Sequence, residues 1–231
     1  MKEGCSQTRR VLCVALFLLL TSTLFVTPVQ AQRIHAYVTS GMSLSQIEGD
    51  ELKGFRHVGF TGGVGALTAL TDNYRWGLSL EALFCQRGVY NNSYDPQNYY
   101  NIDLTLNYVD IPLLLHFQDP YGGMLFGAGL NYGRLVQQPH GTIKYNPNYF
   151  IPDTSDMTFL PHDLSVVADM RFTIWRGLQL DIRFQHSLLA IKRDWMFYSY
   201  NGTDANGDPR YKTHTRNCYS QTLTFRLIWQ F

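Results

Sequence analysis

The sequence TLTFRLIWQF, residues 222–231, alternates apolar and polar side chains one by one. One face holds Leu223, Phe225, Leu227, Trp229 and Phe231, and the other holds Thr222, Thr224, Arg226, Ile228 and Gln230. A period of two predicts a β-strand with one apolar face. Ten residues is long for such a strand, because strands in globular proteins average about five or six residues.

The same alternation recurs upstream, in residues 76–87, 164–174 and 178–188. The polar face of these segments carries charges of both signs, and glycines are frequent in the chain at Gly59, Gly63, Gly65, Gly127, Gly129 and Gly133. A soluble β-sandwich also alternates, but its strands are shorter. Long strands with one apolar face and one polar or small face are typical of a transmembrane barrel, where the apolar face contacts lipid.

Eight such segments occur, at about 33–45, 56–70, 75–89, 103–117, 123–137, 163–175, 177–191 and 216–231. Short connections alternate with the long segments 46–55, 90–102, 138–162 and 192–215. Outer-membrane barrels have short periplasmic turns and long external loops on an even number of strands. The sequence therefore predicts an all-β fold, an eight-stranded antiparallel transmembrane β-barrel spanning residues 32–231, with both termini in the periplasm.

Composition excludes other classes of protein. Charged residues make up 16% and aromatic residues 14%, and 19 Lys and Arg nearly balance 18 Asp and Glu. No basic surplus indicates a nucleic-acid partner. After residue 31 no apolar run is long enough for a membrane-spanning helix, which excludes a helical bundle.

Residues 1–31 read as a signal peptide. Arg9 and Arg10 precede the apolar stretch 11–26, and Val29-Gln30-Ala31 matches the small-residue cleavage pattern. The expected cut follows Ala31. We therefore predict export, and the barrel pattern predicts the outer membrane as the destination.

Charged side chains on the polar faces form the main candidate site. An eight-stranded barrel has an interior just wide enough for side chains, so buried charges there must pair. The favoured hypothesis is an ion network that fills the lumen, and the alternative is a narrow proton or ion path. The network is predicted to contain Glu81, Asp110, Asp169, Arg171, Asp181, Arg183 and Arg226.

Two further features carry structural expectations. Pro112 cannot donate a ladder hydrogen bond, which predicts a bulge or an edge-like defect. The phase of the strand agrees, because its apolar residues change from even positions (Leu104, Leu106) to odd ones (Val109, Ile111, Leu113, Leu115). Cys85 and Cys218 fall on the third and eighth strands, about 15 Å apart across the barrel. A disulfide needs Cα atoms within about 7 Å, so we expect two thiols.

No catalytic, cofactor or metal site is predicted. A lipid hydrolase needs a serine nucleophile placed by a histidine. The adjacent pair His186-Ser187 points to opposite faces of its strand, and the loop histidines have no matching serine. A lipid-modifying enzyme is therefore a weaker hypothesis than an interaction component or a structural surface barrel.

The segment Tyr108-Val-Asp-Ile-Pro-Leu-Leu-Leu115 resembles a strand of the PorT family of small outer-membrane barrels of Bacteroidota. Gly127-Ala-Gly129 and the C-terminal aromatic strand are similar too. The resemblance implies an assembly signal, read by the barrel assembly machinery, at Phe225, Leu227, Trp229 and Phe231. It also implies a role in type IX protein secretion, with other secretion-system proteins as partners alongside outer-membrane lipid. The competing hypothesis is a structural or adhesive surface barrel acting through tyrosine-rich loops.

Overall fold

The computed structural model describes residues 34–49, 54–91, 100–121, 123–145, 158–204, 207 and 209–231. The predicted signal peptide, residues 1–31, lies outside the described residues, as do parts of the four predicted long loops. Within the described ranges, no helix is long and apolar enough to cross a bilayer.

Nine strands form one antiparallel barrel. They are β1 (Ile34–Glu48), β2 (His57–Ala69), β3 (Trp76–Asn91), β4 (Tyr100–Gln118), β5 (Met124–Tyr145), β6 (His162–Trp175), β7 (Leu178–Ser187), β8 (Lys192–Thr203) and β9 (Pro209–Gln230). Sequential strands from β1 to β7 pair with one another, β7 pairs with β9, and β9 pairs with β1 to close the ring.

The nine strands make eight barrel positions, as predicted. β7 pairs with residues 221–229 of β9, while β8 pairs with residues 209–218 of the same strand. β8 therefore occupies the position of β7 further along β9, after a break at residues 188–191. The sequence predicts a loop over 192–215, whereas the structure has a β-hairpin there, and this part of the prediction is wrong.

One end of the barrel has the short connections 70–75, 119–123 and 176–177, and we call it the turn end. The opposite end, where β1, β3, β5 and β8 finish, is the loop end. Burial alternates along β3 from Trp76 to Arg87: the inward side chains are buried, while Trp76, Leu80 and Phe84 face outward and are exposed. The predicted inward and outward faces of residues 76–87 are therefore confirmed.

Pro112 lies in β4 without a bulge, but the β3–β4 pairing is interrupted beside it, between the pairs Leu80–Leu113 and Leu83–Asp110, so the predicted edge-like defect is confirmed. Pro112 pairs with Asn131 of β5, and the register shifts of the β4–β5 ladder lie between Thr105 and Tyr108 instead. Even-numbered residues of β4 face inward throughout, from Ile102 to His116. What changes along β4 is the polarity of its two faces and not the direction of its side chains.

Candidate functional site: the charged lumen

The seven predicted network residues all face the barrel interior. Each is at most 5% exposed, and together they come from β3, β4, β6, β7 and β9. Strict alternation puts them there, because residues two apart on a strand share a face. The structure divides them into two groups at different heights in the lumen.

Glu81 is the centre of the larger group, which we call the Glu81 cluster. Its carboxylate accepts hydrogen bonds from Arg171 Nη2 at 2.7 Å and from Arg226 Nη1 at 3.0 Å. Arg183 binds both oxygens, at 2.8 and 2.9 Å, in the bidentate geometry that guanidinium and carboxylate groups favour. The Tyr37 hydroxyl donates a further bond at 2.7 Å. Glu81 thus joins three arginines from three different strands.

Two aspartates complete the Glu81 cluster. Asp169 accepts from Arg183 Nη2 at 2.9 Å and from Arg171 Nη2 at 3.2 Å. Asp181 binds Arg226 through Nε at 2.7 Å and also through Nη2. Arg171, Arg183 and Arg226 therefore balance Glu81, Asp169 and Asp181 in charge. A balanced, hydrogen-bonded set is the condition under which buried ions are tolerated.

Asp110 does not join the Glu81 cluster. It binds Arg87, which also donates to Asp163 Oδ2 at 2.7 Å, and Ser165 donates to the same Asp163 oxygen at 2.9 Å. We call Arg87, Asp110 and Asp163 the Arg87 cluster. Arg87 additionally lies over the Tyr108 ring, 4.6 Å from its centroid. Within the described chain, Asp110 Oδ1, Asp163 Oδ1 and the Tyr108 hydroxyl have no hydrogen-bond partner.

Arg87 and Asp163 are network residues that the sequence reasoning missed. Arg87 lies on the polar face of the predicted third strand, and Asp163 begins the predicted sixth, so the alternation contained a signal for both. Their partnership depends on which residues face each other across β4, β5 and β6. The row Asp110–Gly133–Asp163 supplies it, because the central glycine leaves the two carboxylates on either side of an empty position.

A serine, a histidine and an aspartate meet in the lumen, which the sequence did not predict. Ser79 Oγ lies 2.7 Å from His116 Nε2, and His116 Nδ1 lies 3.6 Å from Asp169 Oδ1. Ser79 and His116 are both fully buried, so no acyl substrate reaches the hydroxyl. A distance of 3.6 Å is too long for the hydrogen bond that orients a catalytic histidine. The three side chains pack together in the closed part of the lumen.

Glycines make room for the largest lumen side chains. A Cβ added at Gly65 would contact the Tyr37 ring, and one at Gly127 would lie 2.6 Å from the His116 ring and against Asp169. The predicted small residues of the polar face therefore act as spaces for charged and aromatic neighbours, which lets an eight-stranded barrel hold two ion clusters.

The loop end of the lumen is filled by an apolar cluster. It consists of Ile47, Val89, Ile102, Leu104, Leu106, Tyr108, Leu135, Phe159, Ile191 and Cys218. Trp195 packs against it, edge-on to Phe159 at 5.9 Å. This apolar cluster lies on the loop-end side of the Arg87 cluster and closes the charged part of the lumen at that end.

The turn end, by contrast, has an open cavity of about 170 Å³. All eight barrel positions contribute lining residues, so the cavity is the mouth of the lumen. Arg171 of the Glu81 cluster borders it, together with Gln118, Gln179 and Gln230.

The predicted assembly-signal residues lie on the outward face of the final strand. Leu227, Trp229 and Phe231 are exposed, and Phe225 is half-buried on the same face. The Phe231 amide donates to the Ala36 carbonyl at 2.9 Å, which ties the last residue to β1.

Cys85 and Cys218 are both buried, and in the described chain no disulfide joins them, as predicted. Each lies among lumen side chains near the loop end.

Comparison with known proteins places the chain among membrane barrels. The family model described as "Outer membrane protein beta-barrel domain" matches residues 16–218. No curated protein matches the sequence significantly.

Several solved structures share a low overall similarity. Ail, the attachment invasion locus protein of Yersinia pestis, has 13% identity and a TM-score of 0.40, over 86% of this chain and 99% of that chain. Neisserial surface protein A has 11% identity and a TM-score of 0.42, over 85% and 97%. A major outer membrane protein of Thermus thermophilus has 11% identity and a TM-score of 0.43, over 86% and 99%. Similarity at this level identifies no function.

Proposed function

The chain belongs to the outer membrane protein β-barrel family and lies in the cell outer membrane, and we propose that it acts there as an interaction and assembly component rather than as a channel. The supporting observation is the filled interior. Two ion clusters occupy the middle of the lumen, and the apolar cluster closes its loop end. A barrel filled in this way offers its wall and its loop end to partners.

The loop end supports this proposal because its strands extend beyond the ion clusters. β3, β4 and β5 continue past the level of the Arg87 cluster, and β8 and β9 form a hairpin beside them. An apolar cluster fills most of the interior there, as in a water-soluble domain, with the buried polar residues His57 and Asn91 beside it. The described strands of the loop end therefore offer a surface beyond the ion clusters to which a partner can bind.

Conductance tests the non-channel part of the proposal. Purified protein reconstituted in planar bilayers is expected to show no steady single-channel current. A persistent current would instead support the proton or ion path along the polar lumen.

We extend the proposal to type IX secretion on the resemblance of residues 108–115 to the PorT family. In this chain those residues build the wall: Tyr108 and Asp110 face the Arg87 cluster, and Val109 and Ile111 face outward. The secretion role therefore rests on resemblance alone. Deleting the gene and measuring secreted proteins tests it, and unaltered secretion would leave the structural or adhesive surface role.

A pair of insertions tests which end binds partners. A short epitope at Gly202, an exposed position in the β8–β9 hairpin, is expected to reduce co-purification of partners from outer membranes. The same epitope at Asn73, in a short turn at the opposite end, serves as the control. Loss of partners only with the Asn73 insertion would place the interaction at the turn end.

Orientation, export and assembly belong to the same proposal. We expect residues 1–31 to be removed and the turn end to face the periplasm. The mass of the mature protein reports the cleavage. On intact cells, antibody against the inserted epitope is expected to label the Gly202 insertion and not the Asn73 insertion.

Removing Phe231 tests the assembly signal. We expect the variant without Phe231 to reach a lower level in the outer membrane than the parent protein.

A further inference from the structure

The cavity at the turn end is independent of the proposed loop-end function. It is the mouth of the lumen and has a volume of about 170 Å³. An engineered protein cavity of about 150 Å³ holds benzene. The mouth therefore has room for one six-membered ring, with substituents extending through the opening.

Apart from the imidazole of His35, the polar groups that line the cavity carry no unbalanced charge. Gln118, Gln179, Gln230 and Thr173 supply amides and a hydroxyl, and among the described lining residues none is acidic. Arg171 is the one arginine of the lining, and Glu81 and Asp169 already bind it at 2.7 and 3.2 Å. Its charge is neutralised within the Glu81 cluster, so the cavity favours a neutral ligand with several hydrogen-bonding groups.

Apolar groups lie between the polar ones. Leu67, Ala69 and Leu125 line the wall, and Tyr74 and Trp76 stand at the opening, about half exposed. A pocket of this kind fits a molecule with an apolar face and a hydrogen-bonding edge. A sugar ring has both, with C–H groups on its faces and hydroxyls around its edge.

Two other ligand classes fit less well. An extended peptide gains affinity by adding a strand to a free sheet edge, and the ring of strands around the mouth is closed by the β1–β9 pairing. Gln179 already donates to Gln230 at 3.1 Å, but an acyl chain would cover the remaining amide groups of the three glutamines without offering them a hydrogen bond, which costs free energy.

We propose that the turn-end cavity binds one neutral sugar ring, either free or at the end of a glycan. The hydroxyls bond to the glutamine amides and Thr173, and a face of the ring packs on the apolar wall.

The test uses the full-length mature protein in lauryldimethylamine oxide micelles, because a detergent with a sugar headgroup would compete. Methyl β-glucoside and methyl N-acetyl-β-glucosaminide are titrated and followed by saturation-transfer NMR, with glucuronate as an anionic comparison. We expect at least one neutral glycoside to bind, and glucuronate to bind no more tightly. Binding of neither glycoside, or tighter binding of glucuronate, would overturn the proposal.

Matched variants locate the site. Thr173→Trp places a large ring in the mouth and is expected to weaken glycoside binding at least tenfold. Ile174→Trp, the next residue on β6, faces outward, is 58% exposed, and is expected to leave binding unchanged. Equal binding by Thr173→Trp and the parent protein would rule the cavity out.

The corresponding disaccharides show which source of sugar the site binds. A large gain in affinity for the disaccharides over the monosaccharides assigns the site to glycan ends, and equal affinity assigns it to free sugar.

Discussion

The part of the barrel wall around the two ion clusters, which we call the belt section, and the loop-end section have opposite polarity, although the same strands build both. In the belt section of β4, Asp110 and His116 face inward while Ile111 and Leu113 are exposed outside. In its loop-end section, Leu104 and Leu106 are buried inside, and the polar residues Asp103 and Thr105 lie outside. The inversion shows that the surroundings of the outer face decide where apolar residues go. Lipid surrounds the first section, and the second is built as a domain in water.

The largest effect is expected from breaking the charge balance of the belt section. Glu81→Gln leaves three buried arginines facing two carboxylates, and removing one partner of a buried ion pair typically costs about 3–5 kcal/mol. Urea titration of the protein in lipid vesicles, followed by gel mobility, measures the loss in unfolding free energy. Glu48→Gln is the control, since Glu48 is exposed and accepts one bond from Gln221. Equal stability of the two variants would contradict the network.

Truncating the apolar cluster of the loop-end section should have a similar but somewhat smaller effect. Leu106 is 0% exposed, so Leu106→Ala should lower the unfolding free energy by about 2–5 kcal/mol. Leu113, 48% exposed on the outer face of the same strand, has lipid as its neighbour, and Leu113→Ala should cost clearly less. The same urea titration compares them, and a larger loss for Leu113→Ala would refute an apolar core at the loop end.

An outward arginine tests where the lipid ends. Leu113→Arg is expected to cost about 2–4 kcal/mol if Leu113 lies near the middle of the bilayer. Asp103→Arg puts the same side chain on the same face of β4 in the loop-end section, where a surface substitution changes stability by about 0.5 kcal/mol or less. Equal destabilisation by the two arginines would show that lipid surrounds both sections.

The smallest effect concerns the two cysteines. Both are buried in the folded barrel, so a maleimide reagent should label neither Cys85 nor Cys218 before unfolding, and both afterwards. Mass spectrometry of the labelled protein counts the thiols. A protein that gains no label after unfolding without reductant would instead contain a disulfide.

The sequence predicts the belt section well and the loop-end section poorly, for a physical reason. In the belt section each face of a strand has one environment along its length, so Trp76 to Arg87 alternate without exception and their directions are predicted correctly. At the end of the belt section of β4, the inner face changes from a polar to an apolar environment, and the outer face changes from lipid to water. Because Leu104 and Leu106 are apolar but face inward, the apolar positions of β4 change from even to odd. A bulge at Pro112 is the wrong explanation of this change.

The second limit of prediction from the sequence is the pairing of strands that are distant along the chain. The inward direction of Glu81 and Asp110 follows from alternation, but their membership of separate clusters depends on the register of strands distant in sequence. The contact between Ser79 and His116 has the same origin, since it joins β3 to β4 through one register. The hairpin of β8 and β9 gives a weak pattern because the predicted loop 192–215 contains polar residues at both alternating positions.

The position of Glu81 also bears on how the cylinder is completed. Its arginine partners come from β6, β7 and β9, so Glu81 gains its full set of partners only when the last strand is in place. A half-finished barrel would carry an uncompensated anion toward hydrocarbon, and the bilayer would resist it. A chain without its last strands would therefore carry the free-energy cost of an incompletely paired ion, which favours the closed barrel.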